Sequence, residues 1–204
     1  MSIYKKIHRS LFDTKPSKNS SWYFFAFIIL ITITINYLGN EVYEYLKYDR
    51  LKIESGEFWR LISGHFVHLN LTHLALNYAG LTIVWLLVGR YYSSFQWLVI
   101  FSISLLITSA GFWYLDKNML WYVGLSGVIY GLLFAGAGRG IKNLPIESSF
   151  VIVVVIIKIA YEQLIGPTPD SENISGGNVV VNAHLYGSIG GLIAWLLMWR
   201  SPTT

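Results

Sequence analysis

The sequence predicts an all-α polytopic membrane protein: one bundle of six transmembrane helices with its N-terminus and C-terminus cytoplasmic. Three observations predict it. Of 204 residues, 54% are hydrophobic and only 13% charged, with a mean hydropathy of +0.50, which is too apolar for an ordinary soluble domain. Charge-free stretches near the roughly 20 residues needed to cross the hydrocarbon core recur along the chain. Summed over the segments that would share a side, Lys and Arg are also unequal, nine against five, as they are when short cytoplasmic loops are enriched in them.

The spans follow in order. Residues 22–40 carry no Asp, Glu, Lys or Arg, and the same holds for 61–89, 91–115 and 118–138. The fifth span, 146–166, is interrupted by Lys158 and Glu162 within the otherwise apolar "FVIVVVIIKIAYEQL". The sixth, 178–199, lies inside a charge-free stretch that begins at residue 173. Together they form a single domain over residues 1–204, with little room for a soluble domain beside it.

With the N-terminus inside, the inner segments hold nine basic residues: Lys5, Lys6, Arg9, Lys15, Lys18, Arg90, Arg139, Lys142 and Arg200. The outer segments hold five: Lys47, Arg50, Lys52, Arg60 and Lys117. The basic N-terminal residues suit anionic lipid, and no small-residue cleavage site follows them, so the first span is expected to be retained. The connection 41–60 is amphipathic and mixed in charge, which predicts a segment lying at the membrane interface. Cysteine is absent, excluding disulfides and thiolate metal sites. No basic stripe with exposed aromatics supports a nucleic-acid partner. The expected partners are the bilayer and a transmembrane protein substrate, and no cofactor is expected.

Polar residues inside spans are costly, so each is a functional candidate. Ser126 comes shortly after the fourth span starts from outside, His184 holds a similar place in the sixth, and His65, His68 and His73 begin the second. All converge near the external face. His73 and Asn77 are four apart and share a helix face, as do Ser126 and Tyr130. Gly127 and Gly131, and Gly187 and Gly191, repeat at the four-residue spacing that lets helix backbones approach in lipid. The fourth and sixth spans can therefore touch and bring Ser126 to His184.

A serine beside a neutral imidazole is a minimal activated nucleophile for attack on a carbonyl. Oxyanion donors are available from His73, Asn77 and the Ser126 backbone N–H. No Asp or Glu is expected at the depth of His184, which gives a Ser-His dyad, with Tyr130 stacked on the imidazole. Three His over nine positions do not share a face and no H-E-x-x-H occurs, so no metal is expected and His68 is read as a structural hydrogen-bonding residue. Lys158 and Glu162, four apart, are read as neutralising each other, with recognition of a substrate tail as the functional alternative.

In this order and at these depths, the residues resemble those of the rhomboid intramembrane serine proteases. The resemblance runs from "FWRLISGHFVHLNLTHLALN" through "GLSGVIYG" to "AHLYGSIGGL". It takes in Trp59-Arg60, His73 and Asn77, Gly124-x-Ser126-Gly127, Tyr130, and His184 followed by Gly187 and Gly191. It implies cleavage of a substrate's transmembrane segment near its outer end, with Ser126 as nucleophile and His184 as base. His73, Asn77 and the Ser126 backbone would form the oxyanion pocket, and Trp59 and Arg60 would serve as family residues or as interfacial anchors. The chain departs from some bacterial rhomboids late in the second span, where an acidic residue is familiar and "LLVGRYY" stands here.

The short chain, "GLSGVIYG" and "KIAYEQLIG" resemble the rhombosortase branch, whose members are thought to process secreted proteins ending in Gly-Gly, an apolar helix and a basic tail. A general rhomboid protease for other single-span substrates, or a non-catalytic rhomboid-like chaperone, are the alternatives. The expected location is the bacterial inner membrane, with the site open to the periplasmic side.

Overall fold

The structure, a computed structural model, describes residues 21–199. The basic residues Lys5, Lys6, Arg9, Lys15, Lys18 and Arg200 lie outside the described residues. The described residues are mostly helical. Six longer helices overlap the six expected segments: α1 (Trp22–Tyr37), α5 (Leu71–Val88), α6 (Ser94–Tyr114), α7 (Ser126–Gly140), α8 (Pro145–Leu164) and α10 (Val181–Leu197). Between them lie α2 (Asn40–Leu46), α3 (Arg50–Glu54), α4 (Arg60–Ser63) and α9 (Ser171–Ser175), together with β1 (Tyr48–Asp49) paired antiparallel to β2 (Trp121–Tyr122). Leu71–Tyr91, which includes the 3-10 turn after α5, and Ser94–Tyr114 are each long and apolar enough to cross a membrane. The pair α1 and α2 meets that test together, bent by 117°.

Two helix starts differ from the sequence expectation. The second begins at Leu71, not residue 61, because the Asn70 side chain accepts the His73 N–H at 2.8 Å and caps the helix there. Ahead of it, one turn (α4) and a non-helical stretch hold His65 and His68. The fourth begins at Ser126, not residue 118. Residues 118–125 form a loop whose backbone is satisfied by the β1–β2 pairing and by the Gly124 N–H donating to the Gly64 carbonyl at 3.1 Å.

Two buried arginines fasten the connection between α1 and α5. Arg50 donates to the Phe112, Asp116 and Met119 carbonyls at 2.6, 3.0 and 3.0 Å, satisfying acceptors at and beyond the C-terminal end of α6. Arg60 donates to the Glu44 and Lys47 carbonyls at 2.8 and 2.9 Å and pairs with Glu57 at 2.6 Å. Trp59 stacks on Tyr45 and donates to its carbonyl. Both residues therefore pin α2.

The core lies among α1, α5, α6, α7 and α10, around Trp97, Ile100, Leu132 and Ala135. Among the described residues, helices α7 and α10 make the most extensive contact of any pair. Small residues allow it: an added Cβ at Gly187 would overlap the Gly127 carbonyl, and one at Gly191 the Gly131 carbonyl. Contacts that advance in the same order along both helices mean that α7 and α10 run parallel. The outside is apolar. Phe27, Leu30 and Ile33 on α1 and Phe150, Val153, Val154, Ile156 and Ile157 on α8 are exposed, which is the surface a lipid-facing bundle presents.

Candidate active site

The site forms where α7 and α10 start side by side. Ser126 is the first residue of α7. Just before it, Gly124 stands at φ +112°, a conformation that residues with a Cβ rarely adopt, and the Tyr122 hydroxyl donates to its carbonyl at 2.7 Å. A Cβ at Gly124 would fall 2.7 Å from His73 Cε1 and 2.9 Å from Nε2. Glycine here lets the backbone leading to Ser126 lie against the imidazole on α5.

His184, in the first turn of α10, is buried. Its Nε2 lies 3.1 Å from Ser126 Oγ, and its Nδ1 lies 2.8 Å from Glu162 Oε2 on α8. Tyr130 stacks on the imidazole with centroids 4.3 Å apart and planes at 20°. Lys158 Nζ sits 2.5 Å from the other oxygen of Glu162. A carboxylate held this way accepts at both oxygens, which assigns the ring proton to Nδ1. Nε2 is then left as the acceptor of the Ser126 hydroxyl.

The donors stand across the cavity on α5. The Leu69 N–H donates to His73 Nδ1 at 3.4 Å, so the proton of a neutral His73 is on Nε2, the nitrogen near Gly124. One turn on, Asn77 gives one amide N–H to the His73 carbonyl at 2.9 Å and keeps the other. The first N–H groups of α7, Ser126 among them, have no preceding turn to bond within the helix. His73, Asn77, Ser126, Tyr130, Glu162 and His184 all line one cavity of about 520 Å³. The arrangement can activate a hydroxyl beside a carbonyl and receive the oxyanion that attack creates.

A family model described as "Rhomboid domain" matches residues 55–201, most of the chain. The chain belongs to the rhomboid family. Among its curated relatives, "Rhomboid protease GluP" of Bacillus subtilis (strain 168) is 27% identical over 146 residues, which are 70% of this chain and 26% of that protein. "Putative rhomboid protease YdcA" of the same organism is 26% identical over 147 residues, 70% of this chain and 68% of that protein. The chain thus spans about a quarter of the first relative's length and about two thirds of the second's. Family membership and the apolar helices make this rhomboid an integral membrane protein.

Not every residue singled out in this rhomboid's sequence reaches the cavity. His68 lies behind His73, edge-on at 5.1 Å, and is clamped by Asn36, which accepts its backbone N–H at 2.9 Å. Trp59 and Arg60 are outside the cavity lining, at the α2 connection. Gly127, Gly187 and Gly191 act through the helix contact.

One residue was missed. The expectation that no carboxylate lies at the depth of His184 is corrected by Glu162, whose Oε2 lies 2.8 Å from His184 Nδ1. Chain direction is the reason. Helix α8 runs back toward the face where α7 and α10 begin, so its late residues come level with their early ones. The signal was present, since Ser148, Val155 and Glu162 recur every seven residues as the buried stripe of α8.

Proposed function

We propose that this chain is an intramembrane serine endopeptidase that cuts transmembrane segments of membrane-anchored proteins near the external face. The hydrogen bond between Ser126 Oγ and His184 Nε2, inside a cavity that also carries Asn77 and His73, is the observation that supports it most. Ser126 Oγ adds to the scissile carbonyl carbon while His184 Nε2 takes the hydroxyl proton. The oxyanion is received by the Ser126 backbone N–H, the free Asn77 N–H and His73 Nε2–H. His184 then returns the proton to the leaving amine as the C–N bond breaks, and a water deprotonated by His184 hydrolyses the acyl-enzyme.

The substrates proposed are secreted proteins whose C-terminal tail reads Gly-Gly, an apolar helix and a basic end, as the resemblance to rhombosortases implies. The topology proposed has six spans and cytoplasmic termini, in a bacterial inner membrane with the cavity open to the periplasm. The Lys and Arg distribution supports that orientation.

The test uses the full chain in proteoliposomes with a tagged reporter ending in Gly-Gly, about 20 apolar residues and a Lys-Arg tail. The wild type is expected to cut it, and Ser126→Ala and His184→Ala are not. Equal processing of a reporter lacking Gly-Gly would refute the substrate class while leaving the protease reading intact.

A further inference from the structure

Glu162 holds a place that neutralising Lys158 does not account for. A surface ion pair at four-residue spacing leaves both heads in water and is worth little. Here the Glu162 side chain is 1% exposed, against 29% for Lys158, and its second oxygen is spent on His184. A carboxylate buried in a membrane bundle is expensive and persists where partners satisfy it. Both of its partners are present. Lys158 Nζ is 2.5 Å from Oε1 and also donates to Thr168 Oγ1 at 3.3 Å, and His184 Nδ1 is 2.8 Å from Oε2.

The imidazole is therefore held on three sides. Tyr130 covers one face, Glu162 holds the Nδ1 edge, and Ser126 meets the Nε2 edge. The outward residues of α8, Phe150, Val154 and Ile157, face the apolar surroundings, while the stripe ending in Glu162 faces the bundle.

We propose that Glu162 is the positioning residue of a Ser126-His184-Glu162 triad, fixing the His184 tautomer and stabilising the imidazolium, with Lys158 assigning its oxygens. This rests on the serine-endopeptidase reading. As Ser126 attacks, the proton moves from Oγ to Nε2 and then to the leaving amine. The Nδ1 proton stays on His184 throughout, hydrogen-bonded to Oε2.

Lys158 gives the proposal a distinctive consequence. In Glu162→Gln the ammonium, a donor only, claims the amide carbonyl oxygen. The NH2 group is then left facing Nδ1. It would force the proton onto Nε2, where it blocks acceptance from Ser126. Removing Lys158 as well frees the carbonyl oxygen to accept from Nδ1–H and restores the working tautomer.

The experiment measures kcat and KM toward the Gly-Gly reporter in proteoliposomes, and Ser126 labelling by a fluorophosphonate probe, with thermal unfolding recorded for each variant. Replacing a triad carboxylate by its amide costs about 10⁴-fold in kcat in a soluble serine protease, and here Glu162→Gln is expected to lose at least about 10²-fold with KM within about threefold. Glu162→Asp is expected to keep more activity than Glu162→Gln. Adding Lys158→Met to Glu162→Gln is expected to recover about tenfold, since a tautomer penalty of about 1.4 kcal/mol is lifted.

Wild-type kcat in a folded Glu162→Gln would overturn the proposal, as would a loss confined to KM, which would make Glu162 a substrate contact. No recovery in the double variant would overturn the assignment of oxygens by Lys158. If Glu162→Gln fails to fold, the double variant, which leaves no unpaired charge, decides: a lowered kcat supports the triad and a wild-type kcat refutes it. Cleavage surviving Ser126→Ala would instead sink the protease reading itself.

Discussion

Adding one methyl group at Gly127 should separate the reacting pair without touching either member. Gly127 follows Ser126 and Ala183 precedes His184, and a Cβ at Gly127 would lie 2.6 Å from the Ala183 carbonyl oxygen. Ordinary contact begins at 3.4 Å, so the helices must part by about 0.8 Å or deform by as much. Backbone stands on the receiving side, and no side-chain rotation relieves it. Carried onto the Ser126 Oγ to His184 Nε2 distance, the same displacement takes 3.1 Å to about 3.9 Å, beyond hydrogen-bond reach. A misplacement near 1 Å costs about 10²-fold in rate, and overpacking costs about 1–3 kcal/mol in stability. Gly127→Ala is thus expected to lose roughly 10²-fold in kcat while still folding. Gly80→Ala is the control: its new methyl meets only the Ile129 side chain, at 3.2 Å, which can move, and kcat should change little. The assay is fragment release from the Gly-Gly reporter, with unfolding temperatures measured in parallel. Wild-type kcat in a folded Gly127→Ala would refute the claim that backbone contact between α7 and α10 sets the catalytic distance.

Asn77→Ala removes an oxyanion donor and is expected to cost about 10²–10³-fold in kcat with KM little changed, checked by the same kinetics. Tyr130→Phe keeps the ring stacked on His184 and should stay near wild type. Tyr130→Ala removes the stack, worth about 0.5–1.5 kcal/mol, and should slow turnover by up to roughly tenfold. Arg60→Met strips α2 of the bonds to the Glu44 and Lys47 carbonyls and should lower stability by about 1.5–3 kcal/mol, read from thermal unfolding, while kcat of the folded fraction holds.

Most of the helical frame was legible in the sequence, because a segment in lipid must satisfy its own backbone and a long apolar stretch has few other choices. The exceptions were 61–70 and 118–125, where apolar composition continues through loops. Those loops are satisfied by distant partners, Gly64 with Gly124 and Tyr48 with Tyr122, which no local pattern reveals. The approach of Ser126 to His184 followed from the glycine spacing on two helices, since small residues at a four-residue repeat carry little other meaning. Glu162 escaped for the opposite reason. Its spacing from Lys158 accounts for one oxygen, and only the return of α8 to the face where Ser126 and His184 stand brings the second to the imidazole. The positions of Trp59 and Arg60 depended on where α2 folds back, a bend at Gly39 (φ +88°) that the charge pattern of 41–60 did not specify.

The most direct measurement of the central claim treats the purified chain in proteoliposomes with a fluorophosphonate probe, followed by intact-mass and peptide analysis beside reporter cleavage. The expected result is one adduct on Ser126, absent in Ser126→Ala and strongly slowed in His184→Ala, with cleavage lost in step. An adduct on another serine, or reporter cleavage that survives Ser126→Ala, would contradict it.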